Sequence, residues 1–407
     1  MRGARRALNN CLARNPLEMN LMSLLSDLFP RGMRRRWWMF RLIDALVALC
    51  PAPRAKSGVV VVRMDGIGDM VMFRRALEHY PQAFNVAKSD ITILGCNSWK
   101  GLAAEVFPGF KLVAIDEHAF EKKWLYRLKI ALWVRRQGFA VAVCDMFMRK
   151  VMTADSLVWM SRADSRIVCT PFVTERTRRE YAWYLAKTTR VIDTGPYPTH
   201  EGLRHFTFLT SLTGRDHPPE VPAIPWREQP AKLPESDAPY VVMNFGSNEP
   251  GRRWPFDKFL GVARHCLEAG LRVVFVGAGQ EAFAKPRIAE LDHPGAIDTI
   301  GALKLGELVD VLKHAACVLT NDTGPGHLAL GIGTPTVLIA GGGHYGCFVP
   351  YPEHIRPAKA VFLNHEMACY HCLWVCDKRA SRQDAFPCVA EVTVAQAWDA
   401  VRGVVGA

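Results

Sequence analysis

Four groups of residues in this 407-residue chain could do chemistry. The first is Asp322, Thr323 and His327, within Asn321-Asp-Thr-Gly-Pro-Gly-His327. A carboxylate, a hydroxyl and an imidazole at that spacing can bind a polar ligand, and Gly324 and Gly326 would let it approach the main chain closely. The same residues would equally serve to cap a helix, with Asp322 or Thr323 as N-cap. The second group is Asp65 and Asp69 in Met64-Asp-Gly-Ile-Gly-Asp69. A carboxylate there could take a proton from a hydroxyl, or could simply face a helix dipole. The third is Arg252 and Arg253, whose guanidinium forks suit bidentate phosphate contact. The alternative is a solvated loop pair. The fourth is Cys369, Cys372, Cys376 and Cys388, half of it at C-x-x-C spacing. Zn²⁺ or iron would suit four thiolates, and four reduced thiols or two disulfides are the alternatives.

These residues need a scaffold. Apolar runs at Cys317–Thr320 and Thr336–Ile339 flank the first group and predict strand, turn, helix and strand, one βαβ unit of a parallel sheet. In such sheets ligands bind at the carboxyl ends of the strands, where a helix N-terminus offers N–H groups to an anion. Gly58-Val-Val-Val-Val-Arg63 reads as a buried parallel strand and leads through the Asp65–Asp69 turn into a helix over 70–79. Further strands are expected at 91–94, 111–115 and 140–144, and helices at 98–106, 120–136, 149–160 and 202–213. A second alternation starts at Tyr240, with helices at 255–269, 280–291, 305–315 and 393–405 and a strand at 271–276. Seven prolines within 218–239 predict an extended linker. The expected organisation is an extension over 1–56, an α/β domain over 57–217, the linker over 218–239, and a second α/β domain over 240–407.

The net charge of +12 is uneven. Residues 1–56 hold eleven Arg or Lys and three Asp or Glu, a local +8. Within them Arg34-Arg-Arg-Trp-Trp precedes an apolar stretch too short to span a bilayer. It suits an interfacial helix on anionic lipid, or a helix packed on the protein with a solvated basic end. No finger, helix-turn-helix or RNA-binding signature accompanies the charge, so no nucleic-acid partner is expected. The scattered cysteines, often in apolar runs, point to reduced thiols and a cytoplasmic setting. The Asp65–Asp69 turn fails as a dinucleotide fingerprint, because Val71 stands at the third glycine position and Asp90 precedes the next strand instead of ending it.

Three motifs in order, Arg63-Met-Asp-Gly-Ile-Gly-Asp69, Phe245-Gly-Ser-Asn-Glu-Pro-Gly-Arg-Arg-Trp-Pro255 with Val273-Val-Phe-Val-Gly-Ala-Gly-Gln-Glu281, and Asn321-Asp-Thr-Gly-Pro-Gly-His327, resemble glycosyltransferase family 9, the heptosyltransferase-like enzymes of lipopolysaccharide synthesis. The resemblance runs from about 58 to 405. It implies a GT-B fold, α/β, with two Rossmann-like doubly wound domains facing a cleft. It implies inverting transfer of a sugar, heptose in many members, from a nucleotide-diphosphate donor to a lipopolysaccharide or polysaccharide precursor, without a catalytic metal. Residue by residue it makes Asp69 the base, with Asp65 as runner-up. Arg252, with Arg253 beside it, takes the phosphate-binding position and Glu281 the nucleoside position. Asp322, Thr323, Gly324 and His327 form the diphosphate loop.

Two departures stand out. Arg75 replaces a common proline, so Arg74-Arg75 would face an anionic acceptor or be solvated. Gly341-Gly-Gly-His-Tyr-Gly-Cys-Phe-Val-Pro-Tyr351 differs from the usual segment, so the sugar need not be heptose. A cysteine-bearing tail resembling 369–388 occurs in iron-binding members that glycosylate autotransporters, which makes a protein acceptor the competing enzymatic reading. A non-catalytic scaffold on the same fold is the competing reading from another class. The expected setting is cytoplasmic, at the inner face of a membrane.

Overall fold

The computed structural model describes residues 37–406. The arginine run at 34–36 and everything before it lie outside the described residues. The chain forms two compact units assembled from separated stretches. Among the described residues the first holds 37–64, 86–97 and 113–193; the second holds 65–85, 98–112 and 194–406. Among the described residues no helix is long and apolar enough to cross a membrane.

One six-stranded parallel sheet contains β1 (Val59–Arg63), β2 (Ile91–Cys96), β3 (Lys111–Ile115), β4 (Val141–Cys144), β5 (Ser165–Cys169) and β6 (Arg190–Ile192), in the order β3-β2-β1-β4-β5-β6. β1 is buried along its whole length, as its valine run predicts for a strand covered on both faces. Residues 165–169 and 190–192 were not expected as strands. They are short and partly exposed, and they carry too few apolar residues to announce themselves.

In this first unit α1 (Trp37–Leu49) packs on α3 (Trp124–Arg136) and α4 (Ala154–Met160), whereas α2 (Ile67–Leu77) belongs to the second unit. Asp44 is fully buried and receives the Arg127 guanidinium at 2.9 and 2.7 Å, Ser156 Oγ at 2.6 Å and the Tyr184 hydroxyl at 2.7 Å. The packed alternative for this segment is therefore what residues 37–49 show. Leu42, Leu46 and Leu49 nevertheless stay exposed along one face.

The expected helices at 120–136 and 149–160 are shorter than the periodicity suggests. Extended backbone at Lys123 divides Glu117–Lys122 from α3, and α4 starts only at Ala154. The expected helix at 98–106 is likewise a 3₁₀ turn at Asn97–Trp99 and a short helix at Ala103–Val106.

The second sheet contains β7 (Tyr240–Asn244), β8 (Arg272–Val276), β9 (Ala296–Asp298), β10 (Cys317–Asn321), β11 (Thr336–Ile339) and β12 (Ala360–Leu363), in the order β12-β11-β10-β7-β8-β9. All its pairings are parallel. The strand order reverses direction between β10 and β7, the place where open α/β sheets leave a crevice for ligands. Residues 218–239 contain no helix or strand, as their prolines dictate. The helix expected over 280–291 is a 3₁₀ turn at Gly279–Ala284 followed by Lys285–Ala289.

In the same unit α2 (Ile67–Leu77) crosses α9 (Gly324–Gly331) at close range, α5 to α8 being Arg178–Leu185, Glu201–Thr213, Phe256–Glu268 and Leu305–Lys313. Small residues make the approach possible. A Cβ on Gly68 would lie 2.6 Å from the His327 ring, one on Gly324 3.1 Å from Ile67, and one on Gly331 2.7 Å from Val71. Gly68 of the Asp65–Asp69 turn thus serves helix packing.

Candidate active site

Four turns converge on the carboxyl edge of the second sheet. The turn after β7 carries Arg252, that after β8 carries Glu281, that after β10 carries Asp322 to His327, and that after β11 carries Gly341 to His344. Arg252 and Asp322 follow the two strands at the reversal point, so the topology alone brings them together.

The Arg252 guanidinium donates to the Asp322 carbonyl and, at 2.7 Å, to its carboxylate. Arg252 remains 29% exposed and Asp322 9%. The Arg252 Nε–H is buried and has no hydrogen-bond partner among the described residues. The other Asp322 oxygen lies 3.3 Å from His327 Nε2, and His327 Nδ1 lies 2.7 Å from the Tyr351 hydroxyl. Burial alone would raise the Asp322 carboxyl, but Arg252 and His327 more than offset it and hold the group well below the usual carboxylate range. An ionised Asp322 can only accept, so Nε2 of His327 carries the proton. Nδ1 then accepts from Tyr351, whose own ionisation is pushed up by burial and by the charges of Asp322 and Asp69.

Asp69 sits in the first turn of α2, half-buried, with one carboxylate oxygen accepting the Gly66 N–H at 3.1 Å. The turn is anchored from outside by the buried Trp99, whose indole N–H donates to the Gly66 carbonyl at 3.2 Å. Arg63, preceding the turn, is committed in the first unit to a buried ion pair with Asp145 at 2.6 Å. Thr323 does not cap α9. Its hydroxyl accepts from Asn244 at 2.9 Å, so the amide groups at the helix start are not closed off by a side chain. Glu281 is 97% buried, accepts the Ala278 N–H at 2.9 Å, and lies against Gly246 and Gly277 at the ends of β7 and β8.

Two expectations come out differently. Arg253 donates twice to the Ser247 carbonyl, at 2.8 and 2.6 Å, so its fork holds its own turn. Arg74 is neither solvated nor open to an acceptor: it is buried, donates to the Val106 carbonyl and pairs with Glu78 at 2.5 Å, and Arg75 pairs with Glu220. Tyr351, His344 and Trp374 join the site without having been expected. His344 is held neutral to about 4, first by burial and then by the Arg252 charge. The signal for the two aromatics was weak, since both stand in irregular segments without periodicity.

Cys369, Cys372, Cys376 and Cys388 line one small pocket with Tyr370, Trp374 and Phe386. All four are free thiols, and Cys388 Sγ accepts the Gly342 N–H at 3.3 Å. Among the described residues, the three ligating side chains that lie within 4.8 Å of one another are instead the surface group Asp116, Glu117 and His118.

The profile of glycosyltransferase family 9 (heptosyltransferase) matches residues 160–373, just over half of the chain. The chain belongs to glycosyltransferase family 9. It is similar to a glycosyl transferase family 9 protein from Veillonella parvula DSM 2008, with a TM-score of 0.66 and 19% identity over 87% of this chain and 99% of that one. It is similar to the E. coli ADP-heptose lps heptosyltransferase II at TM-score 0.62 and 16% identity, over 86% and 98% of the two chains. It also matches the iron-containing dodecameric glycosyltransferase TibC from enterotoxigenic E. coli H10407 at 0.51 and 16%, over 87% and 77%. No curated protein matches it in sequence. The two parallel six-stranded sheets are those of a GT-B glycosyltransferase.

Proposed function

We propose that this glycosyltransferase moves a sugar, with inversion, from a nucleotide-diphosphate donor to a hydroxyl of a lipopolysaccharide or polysaccharide precursor. The observation that carries this reading is the Arg252–Asp322–His327–Tyr351 chain at the reversal point of the second sheet, with α2 packed against His327 at Gly68 and the Asp69 charge acting on Tyr351. Asp69 takes the acceptor proton as the hydroxyl oxygen bonds to the anomeric carbon, while the bond from that carbon to the donor phosphate breaks and the nucleoside diphosphate leaves. Arg252, including its unpartnered Nε–H, and the uncapped start of α9 offset the charge on that leaving group. Asp322 holds Arg252 in place before the donor arrives, and His327 and Tyr351 hold Asp322. Glu281 accepts from the nucleoside part. No catalytic metal is needed, because these donors supply the positive field.

The acceptor side of the reading leans on α1. Leu42, Leu46 and Leu49 form an exposed apolar ridge at helical spacing, following a strongly basic segment in sequence. A ridge of that kind suits the surface of an anionic bilayer, where a glycolipid precursor resides. The cysteine pocket suits a structural zinc or iron by its donor chemistry, four cysteines lining one pocket, although their sulfurs are not gathered to ligand distance as they stand. Four protein ligands would leave no position for substrate, so such an ion would hold the loop and take no part in transfer. Metal analysis of protein purified without a histidine tag tests this, one ion per chain being expected and substoichiometric metal with four titrating thiols counting against it.

The reading as a whole is tested by incubating the protein with a panel of nucleotide sugars and following nucleoside diphosphate release by mass spectrometry. One donor should be turned over in the presence of acceptor. Binding or turnover of none would favour a scaffold on the GT-B fold.

A further inference from the structure

The cysteine-bearing loop and the turn that carries Arg252 are locked together. His371, Leu373 and Trp374 all have left-handed backbone, with φ of 67°, 54° and 63°. Residues with side chains seldom adopt it, and three within four positions is a costly arrangement that surrounding contacts must enforce. Those contacts are with the Gly341–Gly343 run. The Leu373 N–H donates to the Gly343 carbonyl at 3.0 Å and the His371 N–H to the Gly342 carbonyl at 2.7 Å. A Cβ on Gly343 would stand 2.2 Å from the Trp374 indole, and one on Gly341 2.9 Å from it. The departure from the usual family segment at 341–343 is thus explained by an indole lying on the backbone.

The same indole also meets Arg252 and Phe386. The Arg252 guanidinium carbon lies 5.0 Å from the centre of the Trp374 ring. Trp374 in turn stacks on Phe386 at 5.3 Å and 25°. Phe386 donates its N–H to the Gly251 carbonyl at 2.7 Å, next to Arg252. A Cβ on Gly251 would be 2.5 Å from the Phe386 ring, so loop and turn meet without spare room. The cysteine loop therefore contacts the Arg252 turn from two sides, and its one aromatic face toward the cation is Trp374. Trp is the strongest of the aromatic side chains at attracting a cation over its ring.

We propose that Trp374 is a positioning residue for the leaving-group site, holding the Arg252 guanidinium by cation–π contact in the orientation that meets the donor diphosphate. This rests on the reading of Arg252 as the diphosphate ligand. The indole does not itself touch substrate. It restricts the long Arg252 side chain, whose two contacts to Asp322 both run through one guanidinium nitrogen and leave the guanidinium plane able to pivot about it.

The test is a binding cycle on the full chain, with ADP, GDP, UDP and CDP as probes and the corresponding nucleosides as controls, read by calorimetry. Trp374→Leu should weaken the diphosphate that binds by about 3- to 30-fold, the span of measured cation–π contacts, and leave the nucleoside unchanged. Trp374→Phe should recover most of the loss. Trp374→Met serves as a second apolar replacement, so that a folding defect in one, visible as a lowered melting temperature, does not decide the outcome. On an Arg252→Ala background either apolar change should cost nothing further. Unchanged diphosphate binding in both apolar variants, an equal loss for nucleoside, or an undiminished loss without Arg252 would overturn the role of Trp374. Wild-type diphosphate binding by Arg252→Ala alone would instead sink the leaving-group reading, and this role with it.

Discussion

Two arginine–carboxylate pairs in this molecule have the same 2.7 Å contact and opposite fates. In Asp44–Arg127 both side chains are wholly buried, and Ser156 and Tyr184 complete the acceptor capacity of the carboxylate. Arg127 spends its remaining donors on Met152 and Ser156. In Arg252–Asp322 the arginine is partly open, its Nε–H has no partner, and the carboxylate is tied on its far side to a histidine and a tyrosine. A satisfied, sealed pair can only hold α1 on α3. An unsatisfied, half-open pair at the reversal point of a parallel sheet keeps capacity for a ligand. Completeness of hydrogen bonding, more than distance, separates the sealed structural pair from the one proposed to meet the donor.

The sharpest way to break this contrast is to delete one partner from each pair. Asp44→Ala leaves Arg127 buried and uncompensated, and should cost about 3–5 kcal/mol of stability in chemical denaturation. Nucleoside diphosphate binding by the folded fraction should be unchanged. Arg252→Ala should do the reverse, weakening a nucleoside diphosphate by about 1.5–3 kcal/mol in calorimetry, with little movement of the melting temperature. A loss of stability from Arg252→Ala as large as that from Asp44→Ala would erase the distinction.

A smaller effect concerns the wall behind the open pair. His200 is buried against Tyr351, its Nε2–H directed at the Phe348 carbonyl at 3.0 Å and its Nδ1 accepting the Gly202 N–H at 3.1 Å. A second ring proton would meet the Gly202 N–H, and burial holds the group neutral down to about 3. The unfolded chain takes up this proton near 6.5 while the folded chain does not. Stability should therefore fall as pH drops from about 6.5 toward 3, by up to about 1.4 kcal/mol per pH unit from this group. Urea titrations of His200→Gln across that range should show a shallower slope, and an unchanged slope would remove His200 from the account.

Much of this was legible before the fold was seen, and for definite reasons. Valine runs such as 59–62 can only be covered strands, and the turn at 322–327 joins a strand to a helix whatever surrounds it. Asp322 and His327 were legible because they follow such a strand closely, and Arg252 through the resemblance of the motif around it. Arg253 was not: whether its fork meets phosphate or the Ser247 carbonyl depends on how one turn closes. Tyr351 and Trp374 reach the site from irregular segments, where no period announces which way a ring faces. Asp44 and Arg127 are 83 residues apart, and a charge inside an apolar helix gives no hint of its partner.

Asp69 is the residue on which the proposed chemistry depends most. It is proposed as the base, and Asp69→Asn keeps the Gly66 cap through the amide oxygen while removing the ability to accept a proton. Steady-state transfer by Asp69→Asn should fall by about 100- to 10,000-fold, with nucleoside diphosphate affinity measured in the same preparation within about twofold of wild type. Near wild-type turnover in that variant would contradict the assignment and turn attention to Asp65.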